Sequence, residues 1–122
     1  MIIRAFPYIV LSLAILFNSL ANVALKFPTK TGALEPATTF KMIRIIFLNK
    51  FFFLGIFLFG LNFLAYTLSL RSLRLSTAYP ILIGGSVVLI TILSIVWLKE
   101  SFSFLQVAGI IFILAGIALL NI

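Results

Sequence analysis

Apolar residues fill this chain in long blocks, interrupted at only a few places by charges, prolines and small polar clusters. A block of about 20 apolar residues, rising about 1.5 Å per residue in a helix, crosses the roughly 30 Å hydrocarbon layer of a bilayer. Four such blocks lie near residues 4–26, 50–70, 75–98 and 102–121. They predict an all-α integral membrane protein: one domain over residues 1–122, with four transmembrane helices and both chain ends on one side. The connections "RSLRLS" and "LKESFS" are tight. Residues 28–49 are long and mixed, and the breakers Pro28, Gly32 and Pro36 mark their first half as loop. From Ala37 to Lys50 the pattern turns helical, with Phe40, Ile43, Phe47 and Met42, Ile46 at helical spacing and Lys41 and Arg44 on another face. A short amphipathic helix in the headgroup zone and an irregular loop both fit that stretch.

Composition agrees with the pattern. The 122 residues are 64% hydrophobic and 9% charged, whereas a water-soluble domain has about a quarter of its residues charged. Nine basic residues against two acids give a net charge of +7, but the bases sit beside apolar blocks. They read as membrane-flanking anchors of a multi-pass cell-membrane protein, not as a nucleic-acid surface. With no Cys, no His and no cluster of acids, no metal site is expected. No nucleophile–base pair, paired carboxylates or phosphate loop points to catalysis or to a cofactor. The N-terminal apolar run after Arg4 is too long for a signal-peptide core and lacks a clean cleavage site, so it is expected to stay as the first span. Lys30, Lys41, Arg44, Lys50 and Lys99, with Lys26 close by, fall on one side, and Arg4, Arg71 and Arg74 on the other. The positive-inside rule leans weakly toward chain ends outside, and a weak lean also fits insertion both ways.

Polar residues inside the blocks are the candidate chemistry, because an unpartnered amide in hydrocarbon costs several kcal/mol. Asn18, Asn22 and Lys26 recur every four residues and so form one stripe of a helix. Asn62 and Tyr66 do the same in the second block. In the third, Tyr79, a kink at Gly84-Gly85-Ser86, Thr91 and Ser94 add hydroxyls and exposed backbone. Such an uncharged polar interior suits a substrate presenting hydroxyls or phosphate, with Lys26 as an anion partner. The competing reading makes the asparagines and serines interhelical bonds, Lys26 a snorkelling anchor, and the tyrosines packing or interfacial residues. In the last block, Ala108-Gly109 and Ala115-Gly116 are seven residues apart, which leaves a smooth small-residue face where another helix can approach closely. That helix belongs either to a second chain or to the same one.

The segment "LSTAYPILIGGSVVLITILSIVWLKESFSFLQVAGIIFILAGIALL" resembles the C-terminal half of a small multidrug resistance protein, or of one EamA-type repeat of the drug/metabolite transporter superfamily. "AILFNSLANVALKF" resembles the first helix of the same families, and only the long first loop departs from the shorter multidrug pattern. The resemblance places Asn18 where the multidrug exporters carry a membrane-embedded glutamate that binds protons and cationic substrate alternately. It keeps a cage tyrosine at Tyr79 but puts Leu82 where those exporters have a tryptophan. It also gives Gly109 and Gly116 a role in dimerisation. A lipophilic cation needs a carboxylate and aromatic faces, so loss of the carboxylate and of half the cage argues against proton-coupled export of quaternary cations.

Two classes of function stay open. The first is transport by a carrier or flippase, two chains enclosing a polar path as a homodimer or paired heterodimer. In layout the chain resembles the subunits of the undecaprenyl-phosphate-aminoarabinose flippase, which makes a lipid-linked sugar the leading substrate and small organic cations or metabolites the second. The other class is a non-transporting membrane subunit that stabilises a partner; Asn18, Asn22 and Tyr79 facing lipid or tightly bonded to one another would favour it.

Overall fold

The structure, a computed structural model, describes residues 2–31 and 38–122. Every regular element among them is a helix: α1 (Ile2–Thr31), α2 (Thr39–Leu48), α3 (Lys50–Ser69), α4 (Leu75–Trp97) and α5 (Phe104–Leu120). Three of them, α1, α3 and α4, are long and apolar enough to cross a membrane. The fourth apolar helix, α5, has 17 residues, about 25 Å at the helical rise and thus the shortest crossing a bilayer accepts.

The first helix is the hub. Small residues line it on two sides, and Ala14, Ala21 and Ser19 are fully buried. Val10, Leu11 and Ala14 of α1 form one core cluster with Ala65 of α3 and with Ala78 and Leu82 of α4. Side chains of α1 seat on its neighbours where a Cβ is missing. A Cβ on Gly55 would stand 2.7 Å from Leu25 Cδ2, and one on Gly85 would stand 2.6 Å from Ile15 Cδ1. At the C-terminal end of α1 the rings of Phe27 and Phe51 stack with centroids 4.8 Å apart, so α3 returns antiparallel beside α1. The last helix sits apart: it packs on α4, where Ile117 covers Gly84, and has no buried residue of its own.

One expectation about the backbone is corrected. Pro28 does not begin a loop; it lies inside α1, which runs on to Thr31, and its ring is fully buried. A proline costs a helix one hydrogen bond and a clash one turn back, and near the end of a helix, with its ring packed, that cost is tolerated. Helix α4 runs without a break through Gly84-Gly85-Ser86, where both glycines serve close approach by Ile117 and Ile15. Gly32 and Pro36 lie outside the described residues. Thr39–Leu48 is helical, with Phe40, Phe47 and Leu48 exposed.

The connections are built from local hydrogen bonds. Asn49 caps α3 by accepting from Phe51 N at 2.9 Å. Ser103 and Gln106 form a reciprocal capping box at the start of α5. Between α4 and α5, Lys99 takes a left-handed φ of 53°, which turns the chain so that Glu100 N donates to Ser94 O at 3.2 Å.

Candidate functional site

The fold divides the polar residues of the spans into three places. Midway along α1, Asn18 Nδ2 donates to Ser86 Oγ of α4 at 2.8 Å. One turn on, Asn22 Nδ2 donates to the Asn18 carbonyl at 2.8 Å. Asn18 is thus committed to an interhelical bond, while Asn22 is exposed and keeps its Oδ1 without a partner among the described residues.

Beyond Asn22 lies a cavity of about 230 Å³ between α1 and α4, lined by Asn22, Val23, Lys26, Ser94 and Glu100 among others. The Lys26 Nζ stands 3.8 Å from Glu100 Oε1, with the two side chains 48% and 45% exposed. An ion pair so open to solvent contributes no more than about 1 kcal/mol. Glu100 also borders a second hollow of about 130 Å³ that continues under the α4–α5 turn past Ser101 and Gln106. Its carboxylate therefore stands where two polar hollows meet. On the next face of α1, Val23 also walls an apolar groove of about 340 Å³, completed by Leu20, Phe27, Phe51, Leu54 and Trp97 among others.

The third place is on α3. Asn62 Oδ1 and Tyr66 OH are buried and have no hydrogen-bond partner among the described residues. The Tyr66 ring meets that of Tyr79 edge-on, centroids 6.4 Å apart, and Tyr79 is half exposed. None of these three lines the Lys26 cavity. The expected single polar path is thus resolved into a bonded pair at Asn18 and Ser86, a cavity at Asn22 and Lys26, and a tyrosine corner. Gly109 and Gly116 lie on open α5 surface, where an added Cβ meets nothing within 4 Å, with Ala108 half-buried and Ala115 exposed beside them.

One cavity residue escaped the sequence reading. Glu100 lies in the turn between α4 and α5 and reaches across to Lys26 of α1. The signal was present in the pair itself, an acid in the tight "LKESFS" turn on the side toward which Lys26 lies in the first span.

The amino-acid sequence of this helical chain has counterparts among known proteins. The EamA-like transporter family matches residues 2–122. The chain belongs to that family. Its relatives include the uncharacterized membrane protein YvaE of Bacillus subtilis, 30% identical over 94% of this chain and 84% of that one. The multidrug resistance protein EbrA of Bacillus licheniformis is 28% identical over 94% and 95% of the two chains. A probable 4-amino-4-deoxy-L-arabinose-phosphoundecaprenol flippase subunit, ArnF of Proteus mirabilis, is 38% identical over 57% of this chain and 53% of that one. No solved structure matches it. The protein is accordingly a multi-pass membrane protein of a drug/metabolite transporter family.

Proposed function

We propose that this EamA-like protein moves a polar-headed, lipid-linked substrate across the membrane, as one of two chains that enclose the path. The observation that carries the reading is the shared wall at Val23: a polar cavity on one side and an apolar groove on the other. A headgroup and a hydrocarbon tail joined to it have the same two needs at the same depth. The location supports a lipid. The cavity is near the C-terminal end of α1, beside the start of α3 and the α4–α5 turn, where Lys26, Lys50 and Lys99 gather and favour an anionic group. The similarity to a flippase subunit over 71 residues points the same way. Pairing of chains is supported by α5, an apolar helix without a buried residue whose glycines have open space beside them.

A second reading, export of small organic cations, draws on Glu100 in the cavity and on the similarity to EbrA along nearly the whole chain. Asn18 counts against it, because an amide in the middle of α1 carries neither charge nor proton. One vesicle experiment separates the two. With the purified protein in liposomes, a fluorescent short-chain polyprenyl-phosphate sugar is expected to become protected from a membrane-impermeant quencher, while ethidium uptake stays at the level of empty liposomes. Ethidium accumulation without lipid movement reverses the order of the readings.

A further inference from the structure

The Lys26–Glu100 pair carries a statement about which headgroup fits. Each ion is the other's partner, yet both are nearly half exposed and border the same cavity. A ligand with one charge can replace only one half of such a pair and leaves the other ion beside it unpaired. A ligand bearing both an anionic group and an ammonium, a few Å apart, replaces both halves at once. The remaining polar atoms match this need. Asn22 Oδ1 is a free acceptor for an ammonium on the α1 side, and the Ser94 hydroxyl, which has no partner among the described residues, can donate to an anion or accept from an amine.

We propose that the cavity between α1 and α4 is a zwitterion site, in which Lys26 takes the anionic group of the substrate, Glu100 takes a protonated amine, and the ion pair re-forms when the substrate leaves. This rests on the transport reading above and names the headgroup class for it. The anion is drawn in by the lysines on that side of the membrane, and the amine discriminates. A substrate whose amine is capped by an acyl group loses the Glu100 contact and strands that carboxylate against Lys26, so selectivity against the capped form is built into the pair.

The test uses the full chain in detergent and the fluorescence of Trp97, the single tryptophan of the sequence and a wall of the adjoining groove. Dihexanoyl-phosphatidylethanolamine, its N-acetyl derivative and water-soluble O-phosphoethanolamine are titrated in turn. The free amine is expected to bind about tenfold tighter than the N-acetyl form, the worth of one hydrogen bond to a charged group. Glu100→Gln is expected to erase that ratio, and Lys26→Gln to weaken both lipids about tenfold. Should either single variant fail to fold, Lys26→Gln with Glu100→Gln, which leaves no lone charge, is expected to keep the melting temperature and lose the ratio. Equal binding of the two lipids by the native chain overturns the proposal while leaving lipid transport standing. O-phosphoethanolamine bound as tightly as the lipid supports the zwitterion site and overturns the lipid-linked reading. No saturable change with any of the three overturns the site.

Discussion

The amide of Asn18 donates to the Ser86 hydroxyl at 2.8 Å, joining α1 to α4 midway along both helices. Each side chain gives the other the partner that hydrocarbon denies it. The bond makes Asn18 part of the packing and leaves Asn22, one turn along, as the asparagine that borders the cavity.

Substitution of the two asparagines is therefore expected to give opposite results. Asn18→Leu should lower thermal stability by about 0.6 to 1.7 kcal/mol, the span measured for interhelical bonds in a membrane protein. Adding Ser86→Ala should cost little more, because the bond is already gone. Asn22→Leu, on an exposed position, should leave the melting temperature close to native and reduce transport. A double-mutant cycle in detergent, read beside vesicle transport, decides it. Lost transport with native stability in Asn18→Leu would return that residue to the path.

Coupling is the second expectation. The sequence holds two acids, Glu35 and Glu100, and no His. Glu100 lies in the turn between α4 and α5, and the described helices contain no Asp, Glu or His, so they offer no carboxylate or imidazole to relay a proton through hydrocarbon. Transport in reconstituted vesicles should be indifferent to an imposed pH gradient. A steep dependence that vanishes in Glu100→Gln would show that the cavity carboxylate moves protons.

How far the sequence foretold this arrangement differs by level. The long apolar blocks made the helices readable, because apolar length is set directly by bilayer thickness. The Asn18, Asn22, Lys26 stripe could be read from a four-residue spacing. What opposes that stripe could not. Ser86 and Glu100 come from another helix and another turn, and only the packing of α1 on α4 decides that Asn18 meets one and Lys26 the other. Pro28 misled because proline is a breaker by rule, and a buried ring in the last turns of α1 is a case where packing outweighs the rule. The start of α5 was legible and went unread: Ser103 followed three residues later by Gln106 is a capping-box signature.

The turn between α4 and α5 offers a stability test independent of function. Lys99 holds a φ of 53°, a conformation that costs a side chain with a Cβ roughly 1 kcal/mol and glycine little. Lys99→Gly should raise the unfolding free energy by about 0.5 to 1 kcal/mol, seen as a higher melting temperature in detergent, with the Lys26–Glu100 cavity undisturbed. A lower melting temperature would mean that the lysine side chain contributes more than its backbone costs.

The glycines allow assembly to be separated from folding. At Gly109 and Gly116 an added Cβ meets nothing within 4 Å, whereas at Gly84 it comes within 2.5 Å of Ile117 Cδ1. Leucine at Gly84 must push α5 off α4, and is expected to destabilise the single chain by the 1 to 3 kcal/mol typical of overpacking. Leucines at Gly109 and Gly116 have room within one chain, so that chain should melt as the native one does. If a second chain packs on this face, however, the two leucines hold the facing helices several Å apart and remove the close contact that drives helix association in lipid. The expected outcome is a particle shifted toward one chain by light scattering, with transport lost and stability kept. An unchanged mass would leave the α5 face to lipid, and the path would then have to be completed by some other surface of the chain.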